Sequence, residues 1–377
     1  MADSKEAGKW NTSFSWLRSL ACIAIVVLHT MSYSLVAADA QGYKVSVRQH
    51  TGVLFAQYSC LWAVPVFVMV TGALLLDTAR DLSWERLRKR YLGRIGKAIL
   101  VFGLFFIAFD LVMNGVNETA NNSPLFAAHP VSMESPSVAT WLYVILCSVG
   151  DLLTGHSWPH MWYLYMLFGL YLLMPFFRKV VANSNEKELR YLVCLLIVFI
   201  SLLPLLGLAN VSTDYRFSVA TVYPLYLLLG YVLQKRTILV PQWAAWTGLV
   251  MSTAGIWLAV WFLHEDSASL SIFTSYNSIL VALQSASIFT LFTQQNRKRE
   301  DLPKPLKQFD KCTFGIYLIH FVFVKLLLRY AHWNPFADKW LFLVIVLVII
   351  AASLTLTHGY LFVSLKNRYL MFVKGWE

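Results

Sequence analysis

Charged side chains are scarce in this chain: Asp, Glu, Lys and Arg make up only 14% of its 377 residues, whereas 58% are hydrophobic. Soluble globular domains carry about a quarter charged residues and about half apolar ones. The apolar residues also occur in long blocks. The composition therefore excludes an ordinary soluble domain and predicts an all-α, polytopic integral membrane protein.

Cysteines are few, and none are paired in a loop. The five lie in or beside apolar blocks, at Cys22, Cys60, Cys147, Cys194 and Cys312. This distribution excludes a disulfide framework and a cysteine metal site, and it is typical of small buried hydrophobic residues. We therefore predict no metal.

Acidic residues are outnumbered, 20 against 31 basic ones, which gives a net charge of +11. Such an excess occurs in nucleic-acid-binding proteins, but here the basic residues lie in short segments between hydrophobic blocks. The positive-inside rule for membrane proteins produces this arrangement. It favours contact with membrane lipids and excludes a nucleic-acid partner.

Hydropathy predicts a bundle of ten transmembrane helices with both termini cytoplasmic. The spans are 16–38, 52–76, 95–113, 160–177, 190–208, 216–234, 242–264, 271–293, 313–331 and 339–363. Residues 1–15 are then a cytoplasmic segment, 16–363 the membrane domain and 364–377 a cytoplasmic tail. Lys5, Lys9 and the small residues at 38–40 imitate a signal peptide, but the long apolar run and the many later spans favour an uncleaved first helix.

The apolar stretch 138–153 is short for a span and ends in Asp151. With ten spans, all of the 31 basic residues lie inside except Lys44, Arg48, Arg216, Lys325, Arg329 and Lys339. A span at 138–153 would turn the basic loops at 178–190 and 297–311 outward. We therefore predict an interfacial or re-entrant helix within an outer loop, 114–159.

Arg18 and His29 are ionisable residues within the first predicted span. They are eleven residues apart, so at about 3.6 residues per turn both side chains lie on nearly the same helix face, roughly 16 Å apart along the axis. Arg18 alone is typical of a snorkelling cytoplasmic anchor, and His29 alone fits an interhelical hydrogen bond. An ionisable residue inside a membrane is nevertheless a functional candidate by default. The shared face favours a functional pair.

The second and third spans carry two further motifs. Pro65 permits a kink in AVPVFVMVTGALLL, and Thr71-Gly72 permits close helix approach. The basic segment before the third span is typical of the positive-inside rule or of binding to anionic lipid headgroups. Within it, Arg90 and Arg94 lie one turn apart and are candidates for a phosphate clamp.

Aromatic residues and histidines mark the fourth and ninth spans. HMWYLYMLFGLYLLMPFF begins with His160, Trp162 and Tyr163, an aromatic belt at the predicted outer interface. FGIYLIH places His320 inside the membrane, and His358 is a third intramembrane histidine, which we interpret as an interhelical hydrogen-bond partner.

Taken in order, these segments resemble the family 3 membrane acyltransferases. The resemblance covers Arg18-x10-His29, VPVFVMVTGALLL, the basic start of the third span, HMWYLYMLFGLYLLMPFF and FGIYLIH. Each motif alone is weak, whereas the ordered set, from the first span to the ninth, is fairly specific. The resemblance implies a bundle of ten helices that passes acyl groups, usually acetyl, from cytoplasmic acyl-CoA to hydroxyls of envelope or exported glycans. We expect a stand-alone polysaccharide or lipid-linked glycan O-acetyltransferase of the bacterial cytoplasmic membrane, without a fused esterase-like domain.

The resemblance also implies residue roles. It makes His29 catalytic and Arg18 essential. The family tends to have an Arg-x-x-Arg pair at the start of the third span; here three residues separate Arg90 from Arg94, and Tyr91 stands where a strict pair would have its first arginine. This departure affects the expected role of Arg90 more than that of Arg94.

The chemistry of the donor agrees with these roles. Acyl-CoA carries phosphates that require cations, for which Arg18, Arg94 and Arg90 are the candidates. A neutral imidazole at His29 would accept the proton of an attacking hydroxyl, and an acyl-histidine intermediate is the second possibility. His320 is a candidate to orient that imidazole or to bind substrate. His160, Trp162 and Tyr163 are candidates to bind the sugar.

Two rival functions remain open. A transporter or exporter of a lipid-linked or polymeric sugar would use His29 as a proton relay, although no internal repeat of the kind common in transporters is evident. A membrane scaffold leaves the alignment of Arg18 with His29 unexplained.

Overall fold

The computed structural model describes residues 12–134, 136–209, 222–294, 303–338 and 340–366. Their α-helices are α1 (Thr12–Ala40), α2 (Val47–Ser59), α3 (Ala63–Leu75), α4 (Trp84–Arg86), α5 (Gly93–Asn121), α6 (Pro124–Ala128), α7 (Val138–Thr154), α8 (Trp162–Asn183), α9 (Glu186–Ile197), α10 (Tyr223–Gln234), α11 (Gln242–Leu263), α12 (Ser267–Thr274), α13 (Ile279–Thr293), α14 (Lys304–Lys325) and α15 (Leu341–Lys366). Shorter helical turns are π-helical at Leu87–Leu92, Val198–Leu202 and Leu326–Tyr330, and 3₁₀ at Pro159–Met161 and Leu203–Ala209. These residues contain no strand.

Nine helical segments within the described ranges are long and apolar enough to cross a bilayer. The all-α, polytopic membrane class is therefore confirmed. The predicted span at 216–234 has no counterpart among the nine. Its residues up to 221 lie outside the described part of the chain, and its remainder forms the short buried helix α10.

The second predicted span consists of two helices rather than one. Ser46 caps α2 in a capping box with Gln49, and the chain breaks between α2 and α3 at residues 60–62. Pro65 lies in the first turn of α3, where a missing backbone N–H leaves no hydrogen bond unmade. The break lies in the turn before the proline, whose ring would clash with the carbonyl of Leu61 four residues earlier. The interruption expected at Pro65 is therefore present, as a break between two helices instead of a kink within one.

The third span is longer than expected. Helix α5 continues to Asn121 and bends at Gly115, whose backbone has φ 76° and ψ 174°. After it, the predicted separate helix at 138–153 is present as α7. Ser137 caps its start, and Gly155 ends it in the left-handed conformation. Its position at the membrane surface stays a prediction.

The helices form two compact units, and the boundary between them falls inside α8. The large unit comprises residues 1–80 and 177–377, and the small unit comprises residues 81–176. In the large unit α1 is central, because it contacts α2, α3, α13, α14 and α15. An apolar cluster that includes Val26, Ile316 and Ile349 fills the space between α1, α14 and α15.

Two glycines permit a close crossing of α3 and α10 in the large unit. A Cβ atom at Gly72 of α3 would lie 1.9 Å from the backbone oxygen of Leu227, and one at Gly230 of α10 would lie 2.1 Å from that of Met69. Only glycine allows two helix backbones to approach so closely. The role predicted for Thr71-Gly72 is confirmed at Gly72.

In the small unit, α6 and α7 pack on α5. Asp151 near the end of α7 is buried and accepts hydrogen bonds from the Ser123 hydroxyl and, at 3.1 Å, from the backbone N–H of Leu125. The carboxylate thereby ties the first turn of α6 to the end of α7. These hydrogen bonds explain why the charged residue Asp151 lies at the end of an otherwise apolar helix.

Candidate active site

Arg18 and His29 lie on one uninterrupted helix, α1, and both side chains contact the same neighbour, α14. The common face predicted from their spacing is therefore present. Arg18 contacts Asp310, and His29 contacts His320. Both contacts lie within the large unit.

The Arg18 guanidinium forms a bidentate ion pair with Asp310. Its Nε donates to Oδ1 at 2.7 Å and its Nη2 donates to Oδ2 at 2.6 Å. The Asp310 side chain is completely buried, whereas that of Arg18 is 12% exposed. Two parallel charge-assisted bonds fix the plane of the guanidinium as well as its position. Arg18 is therefore a rigidly oriented cation, and its charge is balanced by that of Asp310.

A polar seam continues along α14 above this ion pair. The Thr313 hydroxyl donates to the backbone oxygen of Asp310 at 2.9 Å, and the Cys22 thiol donates to the backbone oxygen of Thr313 at 3.6 Å. Cys22 lies one turn beyond Arg18 on α1. The Thr313 bond lies within α14, whereas the Cys22 bond joins α1 to α14 between the ion pair and the histidines.

The imidazole rings of His29 and His320 are adjacent, with centroids 5.3 Å apart and planes inclined by 38°. His320 is fully buried, and its Nδ1 lies 2.7 Å from the backbone oxygen of Tyr317 and 3.2 Å from that of Ile316. A carbonyl oxygen only accepts, so Nδ1 carries the proton and the lone pair of the neutral ring is at Nε2. The local helix thus determines the tautomer of His320.

Aromatic rings surround the two histidines. Phe321 presents its edge to His29 at 5.5 Å and also contacts Tyr33 at 5.5 Å, while Tyr317 lies 6.0 Å from His320. His29 itself is only half-buried, unlike His320. It is therefore the more exposed member of the pair.

Arg90 and Arg94 lie in the small unit, at the junction between the π-helical turn 87–92 and α5. A π turn has one extra residue, which changes the direction of the following side chains. Arg90 is exposed, whereas Arg94 is half-buried within electrostatic reach of Tyr91 and Tyr171, whose rings contact each other at 5.5 Å. Arg94 is therefore partly enclosed near these two rings, whereas Arg90 is exposed.

His160, Trp162 and Tyr163 also belong to the small unit, but their environments differ. His160 is fully buried against Phe106 at 5.4 Å and Trp158 at 6.2 Å. Tyr163 is 8% exposed. Trp162 is half-buried, and it contacts Tyr163 edge to face.

Trp162 lines a cavity of about 300 Å³ within the small unit. The other lining residues are Asn122, Pro124, Gly155, His156, Ser157, Trp158 and Pro159. Trp158 is held there because its ring nitrogen donates to Asp110 at 2.5 Å and its ring stacks on Phe106 at 4.2 Å. The cavity therefore combines rigid aromatic faces with hydrogen-bonding side chains.

The structure thus places three of the predicted site residues, Arg18, His29 and His320, along the contact between α1 and α14, and of these only the two histidines touch each other. The sequence argument missed Asp310, although a signal for it was present. Asp310 is an acidic residue in the basic segment 297–311 and precedes His320 by ten residues, much as Arg18 precedes His29 by eleven. His358, by contrast, is exposed on α15, so its predicted role as an interhelical partner is not supported.

The long apolar helices define a multi-pass membrane protein. Its Arg18–Asp310 ion pair and its adjacent histidines lie along the buried contact between α1 and α14. Residues 11–358 match the acyltransferase domain of the acyltransferase-3 family, and the chain belongs to that family. It is a membrane acyltransferase. No curated protein and no solved structure matches the chain.

Proposed function

We propose that this protein is an O-acetyltransferase that uses cytoplasmic acetyl-CoA and modifies a hydroxyl of a cell-envelope or exported glycan. The observation that carries the proposal is the placement of His29. It lies beside His320 in the centre of the large unit, on the same helix as Arg18, which the charge distribution assigns to the cytoplasmic end. The setting we propose is the bacterial cytoplasmic membrane.

His29 acts as the general base in this proposal. Its unprotonated ring nitrogen takes the proton of the acceptor hydroxyl while the hydroxyl oxygen attacks the thioester carbonyl carbon. The carbon–sulfur bond breaks, and the proton passes from His29 to the departing CoA thiolate. The products are the O-acetyl glycan and free CoA. An acyl-histidine intermediate would use the same residue in two steps.

The phosphates of the donor are assigned to arginines. Arg94 is half-buried and held near two tyrosines, which favours a defined contact. The exposed Arg90 contributes attraction at longer range. Because Asp310 already balances the charge of Arg18, we assign Arg18 an orienting contact to the donor rather than the main phosphate contact.

The acceptor side is assigned to the cavity at Trp162. A flat aromatic face and neighbouring polar side chains are the features by which proteins bind sugar rings, and Trp162, Asn122 and His156 provide them. His160 and Tyr163 are buried and would support this surface from behind. The sugar is a polymer unit or a lipid-linked unit.

Mass spectrometry of the envelope glycans tests the function directly. Cells that produce the protein are expected to carry glycans heavier by one acetyl group than cells that lack it. His29→Ala should abolish this difference while the protein level in the membrane persists. His358→Ala, a histidine change on the exposed face of α15, is the matched control and should leave acetylation intact.

Two results would overturn the proposal. Full acetylation by His29→Ala would exclude His29 as the base. Sugar flux driven by a pH gradient, without label from acetyl-CoA on any glycan, would indicate a transporter instead.

A further inference from the structure

The two contacts between α1 and α14 share one register. Arg18 and His29 are eleven residues apart on α1, and their partners Asp310 and His320 are ten residues apart on α14. Both spacings correspond to roughly 15–16 Å of helix, so the two helices run in the same direction along this contact. The ion pair thereby sets the position of His320 along the helix axis relative to His29.

A protonated His29 requires a second hydrogen-bond acceptor. When the imidazole takes a proton, both ring nitrogens become donors, and an unsatisfied charged donor in a low-dielectric interior is costly. His320 and Phe321 of α14 both contact the His29 ring. The nearest carboxylate on α14, that of Asp310, is bound to Arg18 and lies ten residues away in the chain.

His320 is suited to be that acceptor. Its Nδ1 proton points at the carbonyl of Tyr317, so its lone pair is at Nε2, an atom that is itself buried. The centroid separation of 5.3 Å is short enough for a hydrogen bond between the two rings. Phe321 packs edge to face against both imidazoles.

We propose that His320 is a positioning residue for His29: its Nε2 accepts an N–H hydrogen bond from the protonated imidazole that forms when His29 takes the acceptor's proton. No covalent bond to His320 is formed. The proton remains on His29 until it is returned to the CoA thiolate. His320 keeps its own proton on Nδ1 throughout. The inference rests on the proposed function.

Three substitutions at His320 separate this role from packing. His320→Ala removes the ring, His320→Phe fills the space without an acceptor, and His320→Gln provides an amide oxygen that can accept. The protein is purified in lipid nanodiscs and supplied with radiolabelled acetyl-CoA and an extract of envelope glycans. Label on glycan gives kcat and the KM for acetyl-CoA, and the thermal unfolding midpoint reports folding.

We expect His320→Phe and His320→Ala to lose about 10²–10³-fold in kcat, with KM for acetyl-CoA changed less than about threefold, because the contact is made only by the protonated intermediate. His320→Gln should recover at least about tenfold of that loss. Retention of near-normal kcat by His320→Phe overturns the proposal. Equal kcat losses in the Phe and Gln variants also overturn it, because a structural role gives no advantage to an acceptor.

His29→Ala distinguishes this inference from the proposed function. If His29→Ala is inactive while His320→Phe is fully active, the inference fails and the function stands. If the unaltered protein transfers no label, the proposed function fails. If His320→Ala unfolds, His320→Phe and His320→Gln can still be compared at matched unfolding midpoints. That comparison shows whether the side chain must accept a hydrogen bond or only fill the space.

Discussion

Arg18 and Asp310 are 292 residues apart in the chain and form a bidentate ion pair whose carboxylate is completely buried. The pair couples the predicted cytoplasmic end of α1 to α14 and precedes the histidine contact on both helices. A buried ion pair of this kind adds specificity more than net stability, because desolvation offsets the attraction. Removal of one partner, however, leaves an uncompensated charge.

We therefore expect Asp310→Asn to destabilise the protein by about 3–5 kcal/mol, the usual effect of breaking a buried pair. Acyl transfer should fall with it, because the height of His320 relative to His29 depends on this contact. Thermal unfolding and labelled acetyl transfer in nanodiscs measure the two effects. Lys89→Ala is the control, since its pair with Glu85 is exposed (64% and 68%) and is worth less than about 0.5 kcal/mol. Equal midpoints for the two variants would contradict the structural role of Asp310.

Gly72→Ala should prevent the close approach of α3 and α10, because the added Cβ would lie 1.9 Å from the backbone of Leu227. We expect a loss of folded protein in size-exclusion chromatography. Gly52→Ala in α2 is the matched control, since nothing lies within 4 Å of its Cβ position, and it should stabilise α2 by about 0.5–1 kcal/mol. A normal elution profile for Gly72→Ala would show that the crossing tolerates a side chain.

Arg94→Ala should raise the KM for acetyl-CoA by about tenfold or more, the loss expected for one charge-assisted contact to a phosphate. Arg90→Ala should have a smaller effect, because Arg90 is exposed on the π turn. Initial rates at varied acetyl-CoA measure both, with the equally exposed Arg88→Ala as the control. A larger effect at Arg90 than at Arg94 would reverse these assignments.

Trp162→Ala should raise the KM for the acceptor by up to about tenfold and leave the KM for acetyl-CoA unchanged, because the lost aromatic face belongs to the sugar site. The acceptor is the glycan fraction that mass spectrometry identifies. Trp141, which is 40% exposed on α7 and lies outside the cavity lining, provides the control Trp141→Ala. An unchanged acceptor KM in Trp162→Ala would show that the sugar does not bind in this cavity.

The pair between Asp77 and Lys235, 2.8 Å apart and beyond the end of α3, should give the stability a pH dependence. Burial raises the pKa of Asp77, but the hydrogen bond and the charge of Lys235 outweigh burial and hold the pKa below its ordinary value. The contribution is therefore fully present above the unfolded pKa and is lost as the pH falls through the folded pKa. Both side chains are partly exposed, so it amounts to at most about 1 kcal/mol.

The unfolding midpoints of the unaltered protein and Asp77→Asn test this dependence. Their difference should be constant above about pH 5 and should shrink below about pH 4. A difference that grows towards low pH would mean that Asp77 is destabilising in its charged form.

Much of the fold follows from local sequence, since hydrophobic length and helical period depend on neighbouring residues alone. The helix boundaries are predicted less well from local sequence. Helix α5 extends past its predicted end because the chain is helical on both sides of the bend at Gly115, whereas α7 is recognisable as a separate helix through Ser137 and Gly155. His160 shows the same limit at the site, because an aromatic belt in the sequence does not reveal which ring is covered.

The sequence by itself determined the membrane class, the family resemblance and the common face of Arg18 and His29, because composition and an eleven-residue spacing on one helix need no knowledge of other helices. Only the tertiary structure decided that Asp310 and His320 are their partners. Those residues are separated by 291 or more positions, and they meet only because the side chains of α1 and α14 pack in one register. Long-range packing of that kind depends on the fit of many apolar residues at once, which no local pattern encodes.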